Sequence, residues 1–292
     1  MKNKIIDYLK LIRVKHYIKN ILIFVPLFFG GLYTDVNKIF ICILGFLIFS
    51  FSASIVYVLN DISDKEKDKL HETKKNRPIA SGRVSEKEGY ALIIGLLCLI
   101  VLLSICLIKM NANVWALSLL ALYIFINILY SKKLKNIALV DVVILVLGFL
   151  IRLFFGALLI NTIVSDWLYL TVMSGAFYMG FGKRRNEIIK SKNETREVLK
   201  YYNKQFLDKS MYVCLTLTIV FYSMWSVDAD VLVKANAQYL IWTVPLVMII
   251  LFQYSLVVEK DSFGDPVEVI LHDKSMLITI AIYILILFII WL

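Results

Sequence analysis

Long apolar runs alternate with shorter polar segments along the 292-residue chain. Runs of this length, with few charges inside them, mark helices that cross a hydrocarbon layer about 30 Å thick. Nine spans are expected, at roughly residues 17–34, 38–59, 88–108, 113–130, 138–160, 165–181, 210–227, 238–257 and 276–292. The basic segments between them are 60–87, 131–137, 182–209 and 258–275. The chain reads as one transmembrane domain over residues 1–292, an all-α integral membrane protein.

Composition strengthens that reading. The chain is 60% hydrophobic, with a mean hydropathy of +0.78, whereas ordinary globular chains are about 45–50% apolar. The first apolar run follows a basic N-terminus, as in a signal peptide, but no small-residue cleavage pattern follows, so it reads as a retained helix. Cys42, Cys98, Cys106 and Cys214 all lie in apolar runs without metal-ligand spacing and read as buried small hydrophobes.

Charge sets the orientation. Lys and Arg number six up to Lys19, eight in 60–87, three in 131–137, nine in 182–209 and two in 258–275. The alternate connections hold only Lys38, Lys109 and Lys234. Basic loops stay on the cytoplasmic side, so the N-terminus is expected inside and the C-terminus outside a multi-pass cell-membrane protein. Lipid headgroups account for the net charge of +10; no nucleic-acid partner is needed.

The most informative polar stretch is NDISDKEKDKLHETKKNRPIASG, residues 60–82. It continues the second span without a helix breaker before Pro78. At about 100° per residue, Asn60, Asp64, Asp68, His71 and Lys75 share an arc of about 80°, with Asp61 at its margin. Acids spaced this way can hold a hard divalent cation, Mg²⁺, through Asn60, Asp64 and Asp68, with substrate phosphates completing the shell. Lys75 and Arg77 supply counter-charge for the rest of a polyphosphate. The bland alternative is a solvated, salt-bridged loop.

These residues carry a resemblance. Asn60, Asp61, Asp64, Asp68, Lys75, Arg77 and Pro78 resemble the NDxxDxxxD…K…RP motif of the UbiA-type intramembrane prenyltransferase superfamily, nine-helix proteins built around a central cavity. Within it, four more stretches look most like the polyprenyl-phosphate phosphoribosyltransferases, the decaprenyl-phosphate enzymes among them: Arg13, Lys19 and Asn20; Tyr130, Ser131, Lys135, Asp141, Gly148, Arg152 and Gly156; Lys183, Arg184 and Glu187; and GDPVEVILHDK, residues 264–274. One departure matters. Superfamily members that ionise a prenyl diphosphate usually carry a second DxxxD motif, and the matching helix start here offers only Asp141.

The resemblance implies transfer of 5-phosphoribose from 5-phosphoribosyl diphosphate to a polyprenyl phosphate, with Mg²⁺ as cofactor. It implies Asp61, Asp64, Asp68 and Asp141 as the catalytic carboxylates. Lys19, Asn20, Asn60, Lys75, Arg77, Tyr130, Lys135, Arg152, Lys183, Arg184 and Glu187 would contact substrates. Residue chemistry leaves some roles open. Tyr130 also suits an interfacial anchor. Asp141, entering a span, needs a partner. Arg152, deep in a span, needs an anionic substrate group or an acid such as Asp166. His16, His71 and His272 have no ligand spacing. The alternatives are a prenyltransferase acting on an aromatic or haem-like acceptor, and a cation-linked transporter. Phosphate-binding Gly loops and the HExxH pattern are absent from the sequence.

Overall fold

The structure is a computed structural model that describes residues 2–70, 74–190, 197–232, 237–260 and 266–291. Among these, every regular element is helical. They cluster into two compact units. One takes the chain up to Lys132 together with Ile151–Ile163, and the other takes Lys133–Leu150 and the chain from Val164 onward.

In the first unit, α1 (Lys2–Leu11) stops just before Arg13, whose left-handed backbone (φ 53°) redirects the chain. A 3-10 segment (Val14–Phe24) and a short α2 (Val25–Phe29) follow, so the expected span 17–34 is not one continuous α-helix. Pro26 sits in the first turn of α2, where its missing N–H costs nothing. The next helix, α3 (Val36–Ser63), is capped by Asp35, which accepts from the Lys38 backbone N–H at 3.1 Å. Its 28 residues rise about 42 Å, enough to cross the hydrocarbon and carry a polar end beyond it. After α4 (Lys65–Lys69), α5 (Glu86–Lys109) opens on a Ser85–Glu88 capping box. α6 (Ala116–Lys132) and the later part of α7 (Val140–Leu159) complete the unit. Its core centres on Phe49 of α3, which meets Tyr123 of α6 at 4.7 Å and Phe155 of α7 at 5.3 Å between ring centroids.

The second unit contains the start of α7, then α8 (Asp166–Lys190), a 3-10 segment (Glu197–Tyr201), α9 (Lys204–Ser226) and α10 (Ala229–Leu232). A 3-10 segment (Ala237–Thr243), α11 (Val244–Lys260), α12 (Pro266–His272) and α13 (Lys274–Trp291) follow. Small and hydroxyl residues let α8 and α9 approach: Thr218 donates to Ser174 at 3.0 Å and lies against Gly175.

Among the described residues, five stretches are long and apolar enough to cross a membrane: α3, α5, α7, Ala237–Glu259 and α13. α6 is apolar but shorter. Ile94, Val101 and Ile289 are about 60% exposed (62%, 60% and 62%), as side chains facing lipid must be. The protein is integral to a membrane. α8 and α9 cover the expected spans 165–181 and 210–227 and run on into polar sequence. The motif GKRRNE, expected in a loop, therefore lies on the last turns of α8. Only Cys42 is buried; Cys98 is exposed, because its α5 face has no protein neighbour, and all four thiols are free. His71, and Gly264 and Asp265 of the C-terminal motif, lie outside the described residues.

Gly156 of α7 lies so close to the Ile23 backbone that a Cβ there would overlap the Ile23 carbonyl oxygen. Backbone cannot give way as a side chain can. Gly156→Val is expected to destabilise the protein by about 1–3 kcal/mol, read as a fall in thermal midpoint in detergent micelles. Gly95→Ala, which opens onto free space, is the control and should leave the midpoint within about 1 kcal/mol of wild type.

Candidate active site

The polar motif at the end of α3 folds into a closed charge network. Asp61 and Asp68 are both buried (3% and 4% exposed). Arg13 donates to Asp61 Oδ1 through Nη2 at 2.7 Å. Arg77 Nη1 donates to the same oxygen at 3.0 Å and to Asp68 Oδ2 at 2.7 Å. Arg77 is placed by the buried Pro78–Ala80 turn behind it, and its carbonyl accepts from Ser81 Oγ at 2.7 Å. Two buried carboxylates and two partly exposed guanidinium groups thus neutralise one another, which burial of the acids requires.

The arc drawn from the acids alone was turned by part of a face. Asp64 ends α3, yet its N–H still bonds to the Asn60 carbonyl and its own carbonyl accepts from Asp68, so helical phase is kept. The inward polar face is Ser50, Ser54, Tyr57, Asp61 and Asp68, at spacings of four, three, four and seven, all buried except the half-buried Tyr57. Asp61 and Asp68 are its centre. Asn60 and Asp64 flank it half-buried, and Lys75 is exposed. The serines within the apolar span are the signal that locates this face in the sequence.

The 3-10 segment reads the same face residue by residue. Arg13 meets Asp61, Tyr17 bonds to Ser54 at 2.8 Å, and Asn20 donates to Ser50 at 2.8 Å. Numbers rise on one strand of this ladder and fall on the other, so the two segments run antiparallel. The Arg13 guanidinium also lies 4.6 Å over the Tyr57 ring. At the apolar end, Arg152 Nε donates to Asn20 Oδ1 at 2.6 Å and its Nη2 to Tyr123 OH at 3.3 Å. Its guanidinium sits 4.8 Å and 4.9 Å over the Phe49 and Tyr123 rings. Arg152 was expected to need an acid or a substrate anion; an amide, a phenol and two ring faces are among its partners. Lys19 is half-buried on the same segment.

The second unit holds its own buried carboxylate. Asp141 and Arg184 are wholly buried, with Arg184 Nε 2.5 Å from Asp141 Oδ2. Arg184 Nη1 donates to Glu187 at 2.6 Å, so Glu187 orders the arginine. Tyr202, not expected from the sequence, donates to Asp141 Oδ1 at 2.6 Å and accepts from the Leu139 N–H at 2.6 Å. Burial, and then the Asp141 hydrogen bond, push the Tyr202 phenol up to about 12, which keeps it a donor. Arg185 was also missed. It pairs with Asp208 at 2.5 Å and donates to the Val258 carbonyl at 3.3 Å, tying α8 to α9 and α11. Tyr130, Lys135 and Lys183 are half-buried near the ends of their elements.

Oxygen donors suit a hard cation. Among the described residues no three His, Cys, Asp or Glu side chains gather into a closed metal cage. Mg²⁺ does not require one, because one or two carboxylates suffice when substrate phosphates fill the shell. Asp61 and Asp68 already share a single cationic atom, Arg77 Nη1, so their carboxylates converge on one point. The residues present fit the ion.

Breaking the buried pair in the second unit should be costly. Asp141→Asn leaves the Arg184 charge under-compensated and is expected to cost about 3–5 kcal/mol, measured by denaturant unfolding in micelles. Asp141→Leu combined with Arg184→Met should recover most of that loss, because both charges of the enclosed pair are then removed together.

The UbiA prenyltransferase family model matches residues 22–272. The chain is 30% identical to a Mycolicibacterium smegmatis protein named decaprenyl-phosphate phosphoribosyltransferase, over 94% of this chain and 89% of that one. It is 28% identical to a Corynebacterium glutamicum protein of the same name, over 94% and 83%. The solved structure of a UbiA homologue from Archaeoglobus fulgidus bound to DMAPP and Mg²⁺ shares the fold, with a TM-score of 0.68 at 18% identity over 97% of this chain and 98% of that one. With a family model spanning most of its length and a near-full-length relative at 30% identity, this chain belongs to the UbiA prenyltransferase family.

Proposed function

We propose that this protein is a membrane phosphoribosyltransferase that moves 5-phosphoribose from 5-phosphoribosyl diphosphate to a polyprenyl phosphate. The observation that carries this reading is its likeness, along 94% of its length, to two proteins named for that activity. The site chemistry supports it. The donor's anomeric C–O bond breaks and diphosphate leaves with the electron pair. A lipid phosphate oxygen forms the new bond to that carbon. The attacking oxygen is already anionic, so no strong general base is needed, and catalysis falls to positioning and electrostatics.

In this reading Asp61 and Asp68, flanked by Asn60 and Asp64, hold Mg²⁺, which when bound neutralises charge building on the leaving diphosphate. Arg77 leaves the two carboxylates and turns its guanidinium to donor phosphate, while Arg13 stays on Asp61. Lys75 adds positive charge two residues before Arg77, and Lys183 adds it beside Arg184. Arg184 is held by Asp141 and Glu187 as a fixed electrostatic element. Lys19, Asn20, Tyr130, Lys135 and Arg152 remain candidates for substrate contact. Nine spans, with the N-terminus and the site on the cytoplasmic side, are supported by the segregation of Lys and Arg into alternate connections. The family's prenyl transfer chemistry is the second reading, favoured by the shared fold with the DMAPP-bound homologue.

A transfer assay decides between them. Purified protein with Mg²⁺, polyprenyl phosphate and labelled 5-phosphoribosyl diphosphate should pass label into the lipid extract. EDTA should abolish this transfer and added Mg²⁺ restore it. Asp61→Asn and Asp68→Asn should each lower the rate by about 10²-fold or more. Unlabelled lipid, together with prenyl transfer from a prenyl diphosphate to an aromatic acid, would overturn the proposal in favour of the second reading.

A further inference from the structure

α1 lies outside the ladder and contributes nothing to either buried charge set, yet it exposes a run of large apolar side chains. Ile5, Ile6 and Leu9 are 58%, 43% and 48% exposed, and they share an arc of about 100° on the helix. The opposite face holds Leu11, wholly buried, and Asp7, nearly so. This inner face is fastened. Lys4 pairs with Glu88 at 2.6 Å, Tyr8 donates to the same carboxylate at 3.3 Å, and Asp7 pairs with Arg83 at 2.9 Å. The exposed face is therefore not a frayed end. It is the outer side of a helix locked in place.

Its depth follows from what it is fastened to. Glu88 lies in the first turn of α5, and the exposed apolar stripe of that membrane helix begins at once with Tyr90, Ile94 and Leu97. α1 is thus held where α5 enters the hydrocarbon, at headgroup level. Its charge fits that layer. Asp7 is the one acid up to Lys19 and is turned inward onto Arg83, while Lys4, Lys10 and Lys15 are exposed. Lys10 flanks the apolar arc and Lys15 follows the helix, a charge placement that suits a short helix lying in the plane of an anionic bilayer surface.

We propose that α1 is an interfacial anchor whose Ile5–Ile6–Leu9 face is covered by anionic phospholipid. This goes beyond the proposed transferase activity and does not depend on it. The anchor ends two residues before Arg13, so lipid seats the helix that delivers Arg13 to Asp61.

The test uses the full-length protein in nanodiscs of equimolar phosphatidylcholine and phosphatidylglycerol. A photo-crosslinking p-benzoylphenylalanine replaces Ile6, and adducts are identified by mass spectrometry. The expected products are lipid adducts in which phosphatidylglycerol exceeds phosphatidylcholine severalfold. Reversing the exposed charges with Lys10→Glu and Lys15→Glu should bring the two lipids to parity while lipid adducts persist. Adducts to a second copy of the chain would show a protein interface instead and overturn the proposal. So would the absence of lipid adducts, or parity between the two lipids in the protein with Lys10 and Lys15 intact.

Discussion

In a helix bundle whose outer surface is hydrocarbon, an amide, hydroxyl or carboxylate on an apolar helix has to find its partner inside the protein. α3 presents Ser50, Ser54, Tyr57 and Asp61 on one face, and the 3-10 segment supplies Asn20, Tyr17 and Arg13 to meet them. Much of the first unit follows from that match. It sets the register of the 3-10 segment on α3. It brings the Ile23 backbone onto Gly156 of α7. It also puts Asn20 within reach of Arg152, the one basic residue deep in an expected span. The segment's tighter winding suits the task, since three residues per turn keeps positions 17 and 20 on one side.

The two buried carboxylate sets solve the same electrostatic problem differently. Asp141 and Arg184 are both fully enclosed, and Tyr202 and Glu187 are among their partners. Such a pair is fixed, because exchanging either partner would strand a charge. Asp61 and Asp68 are equally buried, but their partners Arg13 and Arg77 keep about a quarter of their side-chain surface exposed (24% and 29%). A guanidinium that reaches solvent has lost less of its hydration than the enclosed Arg184. This asymmetry separates a charge set that reaches solvent from one that is enclosed and holds α7, α8 and the segment around Tyr202 together.

Membrane character, the helical class, the charge alternation and the family motif at the end of α3 were legible in the sequence, because each is a local property of composition and spacing. Asp61, Asp68 and Arg77 of that motif do come together, with Asp64 beside them. The pairing of Asp61 rather than Asp64 with Asp68 was within reach of periodicity, had the buried serines of α3 been placed on the same helical wheel as the acids. Tyr202 left no such signal. It lies in a polar stretch beside Tyr201, and only the return of the chain to Leu139 and Asp141 distinguishes the two. The helical extent of GKRRNE was obscured for a related reason. Its charges read as a loop, whereas Arg184 and Arg185 are buried against Asp141 and Asp208 and so extend α8.

By itself, then, the sequence determined that this chain must be helical and membrane-embedded, and which short stretches concentrate charge. Hydropathy and helical phase are set by neighbours within a few turns. Tertiary structure alone decided the long-range polar contacts: the ion pair of Arg13 with Asp61 across 48 positions, and the hydrogen bonds of Arg152 to Asn20 across 132 and of Tyr202 to Asp141 across 61. Each depends on which distant segments the fold brings side by side. A buried charge specifies only that it must have a partner, and leaves the packing of the chain to choose which.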